Sequence, residues 1–403
     1  MKKIFILLTC LMLNTSFYAQ TERSKLAPAP LMGWMTWNYY GGNISEQLIK
    51  QVADLMVTEG YSDAGYNYIF IDDIWQGGRD AHNNIIPDPQ KFPSGMKALA
   101  DYVHSKGLKL GIYSDAAQLT CAGYTGSYGF EQQDARTFAS WDIDYLKYDY
   151  CNAPAEMNAA KERYKTMADA LSASGRDIIL GVCEWGHLNP ELWAHQAGGQ
   201  QWRTSDDIRD KWKDEGVGGY GILDVIEKTA PISKYAHPGA WPDMDMLVVG
   251  LEGKGKSSSD LGGKGCTLDE YKSQMSLWSM FSSPLQISCN LTQIKSSMKD
   301  ILLNKEIIAI DQDSLGKVAE RKTSVNGIEV FVRPLSGNRK AIAILNTNDK
   351  PTRYSLSFKS IGINQKVSVR DVWQHRIVSN KANSWKGIIR PHATVVLVLQ
   401  QKS

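Results

Sequence analysis

The sequence predicts a (β/α)8 (TIM-type) barrel followed by a small antiparallel β-sandwich. Strand-like and helix-like segments alternate from about residue 31 to 315. That span is close to the roughly 250 residues usual for such a barrel. The first strand leads into Trp34-Met35-Thr36-Trp37 and not into a Gly-rich phosphate loop, which argues against an open doubly wound sheet. From residue 316 the helical periodicity stops and short strands separated by turns take over. The expected units are therefore 1–20, a cleaved leader; 21–315, the barrel; and 316–403, the sandwich.

Eight apolar, β-branched or aromatic runs serve as barrel strands. They are LMGWMTWN from Leu31, YNYIFIDDIW from Tyr66, LKLGIYSD from Leu108, DYLKYDYC from Asp144, DIILGVCEW from Asp177, QQWRTSDD from Gln200, AWPDMDMLVV from Ala240 and PLQISCN from Pro284. Amphipathic stretches lie between them. EQLIKQVADLMV places Leu48, Ile49, Val52, Leu55 and Met56 on one helical stripe. MKALADYVHSKG, FEQQDARTFASW, AAKERYKTMADALSASG and DEYKSQMSLWSMF follow, then MKDILLNKEIIAI after the eighth strand. Several end in Gly, a helix stop. The sandwich strands are IEVFVRP, KAIAILN, RYSLSF, KVSVRDVW and TVVLVLQ, with turns at Asn326-Gly327 and Ser336-Gly337.

Residues 1–20 carry Lys2 and Lys3, an apolar run and Ala19-Gln20, the pattern of an export signal too short to span a bilayer. Its removal leaves 43 basic against 43 acidic residues. A chain so balanced has no field to draw nucleic acid or an anionic membrane. Five cysteines remain, so at least one thiol is free in the exported protein. The protein is expected to be secreted or periplasmic.

The strand ends carry the chemistry. They offer Trp37; Asp72 and Asp73; Tyr113 and Asp115; Lys147 and Asp149; Cys183, Glu184 and Trp185; Arg203, Asp206 and Asp207; Asp243 and Asp245. In a barrel these carboxyl ends meet on one face, where such folds keep their sites. Buried charges need partners, so their convergence marks a site. Carboxylates, cations and flat aromatic rings together describe a sugar pocket, and glycosidic cleavage needs two carboxyl groups. On the fourth strand, Lys147, Asp149 and Cys151 share a face. A cation two residues away favours an ionised Asp149, suited to attack. The proton donor should be desolvated or crowded, which points to strand six. Arg203 and Asp207 share a face there, which favours Asp207 over Asp206. Magnesium is the rival use for so many aspartates. None of the seven histidines sits at an inward strand end, so no metal or other cofactor is expected.

In order, these motifs resemble glycoside hydrolase family 27, the melibiase-type α-galactosidases. The matching residues are Met32-Gly33-Trp34, Trp37-Asn38, Ile71-Asp72-Asp73-Ile74-Trp75, Gly111-Ile112-Tyr113, Tyr145 to Cys151, Cys183-Glu184-Trp185, Trp202-Arg203, Asp207-Ile208 and Trp241 to Leu247. The resemblance implies a retaining exo-enzyme acting on α-galactosides, with Asp149 as nucleophile and Asp207 as acid/base. It implies Asp72, Asp73, Lys147, Glu184 and Arg203 as ligands of the sugar hydroxyls. Trp37 and Tyr113 would line the pocket, with Asp243 in the binding set, and Cys121 and Cys151 would form a disulfide at its rim. Glu184 would exclude a 2-N-acetyl group. Asp73 is shorter than the acid that would suit a β-L-arabinopyranoside. The chain departs from the family in Asp206, where relatives often have a small residue, and in Gly186-His187-Leu188.

Overall fold

A computed structural model describes residues 23–400 except 24, 214–218 and 257–263, so the expected leader lies outside the described residues. Eight parallel strands form the barrel: β1 (Met32–Met35), β2 (Tyr68–Phe70), β3 (Lys109–Asp115), β4 (Tyr145–Asp149), β5 (Ile179–Cys183), β6 (Gln201–Arg203), β7 (Trp241–Asp243) and β8 (Leu285–Ile287). Neighbours pair in sequence order, with β8 beside β1. The seam between β7 and β8 closes through Leu247, which bridges Ile287 and donates its amide to the Gln286 carbonyl at 2.8 Å.

The strands are shorter than the apolar runs suggest, because the acids that end each run have left the ladder. Ile74, Trp185 and Asp245 take left-handed φ values of 73°, 61° and 66° just beyond β2, β5 and β7. Helices α1 (Glu46–Thr58), α2 (Gly95–Ser105), α3 (Glu131–Ser140) and α4 (Met157–Ala173) follow the first four strands. The alternation fails after β5, where a 3-10 turn at Pro190–Leu192 replaces the helix. Asn189 is left-handed there, and a Cβ at Gly199 would lie 2.5 Å from Val182, so this loop is pressed against β5. A helix absent from the sequence reading, α5 (Ile222–Thr229), joins β6 to β7 and buries Ile222, Val225 and Ile226. Then come α6 (Leu268–Phe281), α7 (Ser296–Leu302) and α8 (Lys305–Asp311).

Strand β4 answers the alternation argument directly. Leu146 and Tyr148 face the helices, with Tyr148 edge-on to Tyr164 of α4 at 5.6 Å. Tyr145, Lys147 and Asp149 face inward. Tyr145 sits in the barrel's inner cluster with Met35, Phe70, Ile179 and Trp241, and this layer floors the site above it. The glycines at 111 and 181 make room for it, since a Cβ at Gly181 would come 2.1 Å from the Tyr145 hydroxyl.

The C-terminal sandwich has a six-stranded sheet and a two-stranded sheet. Its strands are β9 (Glu320–Val325), β10 (Ile328–Leu335), β11 (Arg339–Asn346), β12 (Thr352–Ser357), β13 (Val367–Asp371), β14 (Arg376–Ala382), β15 (Ser384–Ile389) and β16 (Thr394–Gln400). Sheet order is β9-β10-β11-β16-β13-β14, with β12-β15 facing it across a core of Val330, Ile342, Leu356 and Leu397. Three strands were missed in the sequence: β9, β14 and β15. Their residues are mostly exposed, so the apolar alternation that announces a strand is weak.

The sandwich packs on α6, which is buried along nearly its whole length between the two domains. A helix covered on all sides needs no single apolar stripe. Its serines meet the sandwich: Thr394 donates to the Ser273 hydroxyl at 2.7 Å and the Trp373 indole to Ser276 at 3.0 Å. Arg333 of β10, fully buried, donates to the Ser279 carbonyl and, at 3.1 Å, to the Asp311 carbonyl. Burial pulls its guanidinium down to about 10, against the pull of Asp311. Arg333→Met should lower unfolding stability by about 3–5 kcal/mol in a denaturant titration, by stripping buried acceptors of their donor. At the other end of the interface, His392 stacks on Trp212 of the β6–β7 connection, with ring centroids 4.6 Å apart. Its two nitrogens reach Glu270 at 2.6 Å and Asp349 at 2.9 Å. Among the described residues, no helix is long and apolar enough to cross a membrane.

Candidate active site

The carboxyl ends of the strands surround a cavity of about 650 Å³, lined by Trp37, Asp72, Asp73, Tyr113, Lys147, Asp149, Asp207 and the Cys121–Cys151 bridge, among others. Trp37 comes from a one-turn helix after β1, and the Lys256 ammonium lies 4.5 Å over its ring. Asp72 and Asp73 follow β2. The Asp72 amide is held by the Thr36 hydroxyl at 3.0 Å, and the Asp72 carboxylate takes the Lys147 ammonium at 2.9 Å. Asp73 accepts from the amides of Ile74 at 2.7 Å and Ala122 at 3.0 Å. Tyr113 of β3 packs against Lys147, 5.3 Å from the ring centre, and its hydroxyl donates to Cys121 Sγ at 3.4 Å. Burial opposes the charge on Lys147, yet Asp72 together with the further negative groups around it, Asp149 among them, outweighs that cost and the ammonium is held firmly charged.

Cys121 and Cys151 are bonded, closing a loop with a sequence separation of 30. Asp115 ties both of its flanks, accepting from the Ala117 amide at 2.8 Å and the Cys151 amide at 3.1 Å. Replacing both cysteines by serine should cost about 3–4 kcal/mol of stability in unfolding titrations, the chain entropy of a loop this long. Asp115, Cys121, Asp149 and Cys151 form the only candidate metal cluster among the described residues. Two of those four are already consumed by the bridge.

Asp149 and Asp207 line the same cavity but differ in surroundings. Asp149 ends β4, 4 % exposed, and takes the Tyr150 amide at 3.1 Å. Burial pushes its pKa up to about 6, against the pull of Lys147 and with help from the charge of Asp207. Asp207 is 53 % exposed at its side chain and accepts from Arg203 at 3.1 Å. Burial beneath it works upward, but Arg203, then Lys147, holds this carboxyl below the usual range. The sequence led to the opposite ordering, with Asp149 the readily ionised group. Desolvation outweighs the lysine at Asp149, whereas at Asp207 the surrounding cations, Arg203 first and then Lys147 and Arg209, together outweigh it.

Residues 29–313 match the family model described as "Alpha galactosidase A", and residues 325–399 match that of "Alpha galactosidase C-terminal beta sandwich domain". The chain belongs to the melibiase-type α-galactosidase family, glycoside hydrolase family 27. Within that family it is 42% identical over 396 residues to "Alpha-galactosidase 3" of Arabidopsis thaliana, covering 96% of this chain and 85% of the relative. It is 41% identical over 385 residues to "Alpha-galactosidase A" of Cellvibrio japonicus, covering 94% and 91%. Among solved structures it resembles α-galactosidase I of Mortierella vinacea, at 33% identity and a TM-score of 0.87, covering 94% of this chain and 98% of that one.

Three residues that the family motifs led us to place in the pocket sit elsewhere in this α-galactosidase fold. Glu184 is 1 % exposed and does not line the cavity. Its carboxylate turns into its own loop, accepting from the amides of Gly186 at 3.1 Å and Leu188 at 2.6 Å. Burial pushes its pKa up to about 8. Asp243 lies beneath the cavity, where it accepts from the Asp245 amide at 2.9 Å and the Gln201 side chain at 3.4 Å. Arg203 does not line the wall either; it supports Asp207 from below, 2 % exposed, bound also to Asp245 at 3.1 Å. Trp185 and His187 line the cavity where Glu184 was expected, and Asp245 holds both Arg203 and the Ile208 amide, the latter at 2.8 Å. Glu184 lies just past the end of β5, before the left-handed Trp185, and folds back onto its own loop, whereas Arg203 and Asp243 are the paired last residues of β6 and β7 and are held there by Asp245. The doublet Asp243-x-Asp245 was the available signal for Asp245.

Proposed function

We propose that this glycoside hydrolase removes terminal α-linked galactose with retention of configuration. The observation that carries this is the meeting of Asp149, Asp207 and the Lys147–Asp72 pair in one cavity of a chain 42% identical to an α-galactosidase. Asp149 attacks the anomeric carbon while Asp207 passes its proton to the departing oxygen. The ester that results removes the Asp149 charge, one of the influences on the pair. Asp207, now a carboxylate, takes a proton from the water that attacks the same carbon, and Asp149 leaves as carboxylate. Asp72, Asp73 and Lys147 hold the sugar hydroxyls, and Trp37 and Tyr113 wall the ring. Trp185 supplies the bulk first assigned to Glu184 against a 2-N-acetyl group.

A panel of p-nitrophenyl glycosides tests the reading: α-galactoside should be cleaved fastest. Faster cleavage of α-N-acetylgalactosaminide or β-L-arabinopyranoside would overturn it. The raffinose complex of the Saccharomyces cerevisiae α-galactosidase, 28% identical with a TM-score of 0.86, supports an oligosaccharide substrate. Export is part of the proposal, since a bridged cysteine pair suits an oxidising compartment. Mass spectrometry of protein recovered outside the cytoplasm should show a chain lacking residues 1–20.

The ionisation order has a kinetic consequence. Below about pH 6 the pair keeps one proton, and in the free pocket Asp149 holds it for most of the time. The productive arrangement, with Asp149 ionised and Asp207 protonated, is the minor tautomer of that state. For substrates with poor leaving groups, kcat/KM should therefore fall as pH rises through about 6, when the last shared proton leaves. A profile still climbing well above pH 6 with such a substrate would refute this order.

A further inference from the structure

The outer wall of the cavity contains a polar pair with no place in the mechanism. His187, from the loop after β5, and Asp206, from the segment after β6, both line the cavity and contact each other at 2.9 Å, Nε2 to Oδ1. Their side chains are 56 % and 41 % exposed, whereas Asp72, Asp73, Tyr113 and Asp149 are 4 % exposed or less. Exposure thus grades the cavity from a closed inner end to an open outer one, and the pair stands at the open end. Asp206 precedes the proposed acid/base. The oxygen that Asp207 protonates joins galactose to its aglycone, so the aglycone must leave the inner cavity past this residue's neighbourhood.

We propose that His187 and Asp206 form the aglycone subsite, a two-point clamp for the hydroxyls of the sugar next to galactose. This rests on the galactosidase reading above. With Nε2 and Oδ1 engaged with each other, each side chain of this exposed, cavity-lining pair keeps one further polar atom, the imidazole Nδ1 and the carboxylate Oδ2. One donor or acceptor beside a charged acceptor is what a vicinal diol can bridge. The loop is built to hold this position. Both Glu184 oxygens accept from amides of residues 186–188, and the His187 amide itself closes on the Glu184 carbonyl at 3.3 Å. Glu184 is then a positioning residue for His187 and not a ligand of the sugar. The Trp185 ring, with its centre 5.9 Å from the imidazole, fills the corner between the galactose wall and the clamp.

The test compares kcat/KM for melibiose with that for p-nitrophenyl α-galactoside, whose aglycone has no hydroxyls, in His187→Ala, Asp206→Ala, the double variant and His187→Gln. The ratio of melibiose to aryl substrate should fall about tenfold in each single alanine variant, the scale of one hydrogen bond at a wet site. The double variant should fall little further, because the two side chains act as a unit. His187→Gln, which keeps a donor, should recover part of the ratio. A ratio within twofold of the wild type, or equal losses on both substrates, would overturn the clamp. A wild-type enzyme that cleaves neither substrate would overturn the galactosidase reading and the clamp with it; one that cleaves both, with a ratio indifferent to the variants, overturns the clamp alone.

Discussion

Asp149→Ala is expected to lose turnover of aryl α-galactosides by roughly 10⁴-fold or more, the scale seen when a covalent nucleophile is removed. Its carboxylate sits at the closed end of the cavity, and the surrounding groups cannot replace it: Lys147 is cationic and Asp72 is bound to that lysine. The gap left by the side chain should admit a small anion. Added azide should then restore turnover and release β-galactosyl azide, with the configuration opposite to the substrate because only one displacement occurs. Activity near that of the wild type in the alanine variant would refute the assignment, as would α-galactosyl azide as the product. Folding should be little affected, since the backbone bonds of Asp149 survive the change and its carboxylate accepts, among the described residues, only the amide of the adjacent Tyr150 within its own turn.

Asp207→Ala is expected to separate the two halves of the reaction by leaving group. With an activated aryl galactoside, bond cleavage needs little proton donation, and the ester should form faster than it is hydrolysed. A burst of phenol followed by a slow steady rate is the expected trace. With melibiose, whose leaving oxygen needs the proton, the loss should be larger by roughly 10²-fold or more. Equal losses on the two substrates would count against an acid/base role. The same variant isolates the nucleophile's ionisation. For the activated substrate, kcat/KM should now rise with pH through a midpoint at or below about 6 and level off above it, since the alanine removes a negative charge that helps keep Asp149 protonated. The sign is opposite to that for the wild type with a poor leaving group, which makes the pair of profiles a stringent check.

Much of the fold was legible because the barrel strands are apolar on both faces and the helices between them carry stripes such as Ile49, Val52 and Met56. Asp149 and Lys147 were legible for a simple reason: they lie within the ladder of β4, where alternation holds. Where Glu184 and Asp243 turn was not legible, because it depends on bonds made beyond the strands: Glu184 accepts from the amides of Gly186 and Leu188, and Asp243 from the amide of Asp245. The connection after β5 lacks its helix because Pro190, a left-handed Asn189 and the close approach at Gly199 suit a tight loop. The exposed strands β14 and β15 have too few buried positions to declare themselves. The order of proton affinities was beyond reach for another reason. It depends on how deeply each carboxyl is withdrawn from water and on the 3.1 Å contact between Arg203 and Asp207, both properties of the closed cylinder.

The stacking of His392 on Trp212 bears on how such enzymes can be re-engineered. Trp212 lies five residues beyond the proposed acid/base, and its indole rests on a ring contributed by the other domain. The C-terminal unit is thus a buttress for the catalytic rim and not an interchangeable cassette. Chimeras that graft a foreign sandwich onto this barrel should keep their galactose-binding wall yet lose alignment at the proton donor, unless a flat ring is supplied at the same spot.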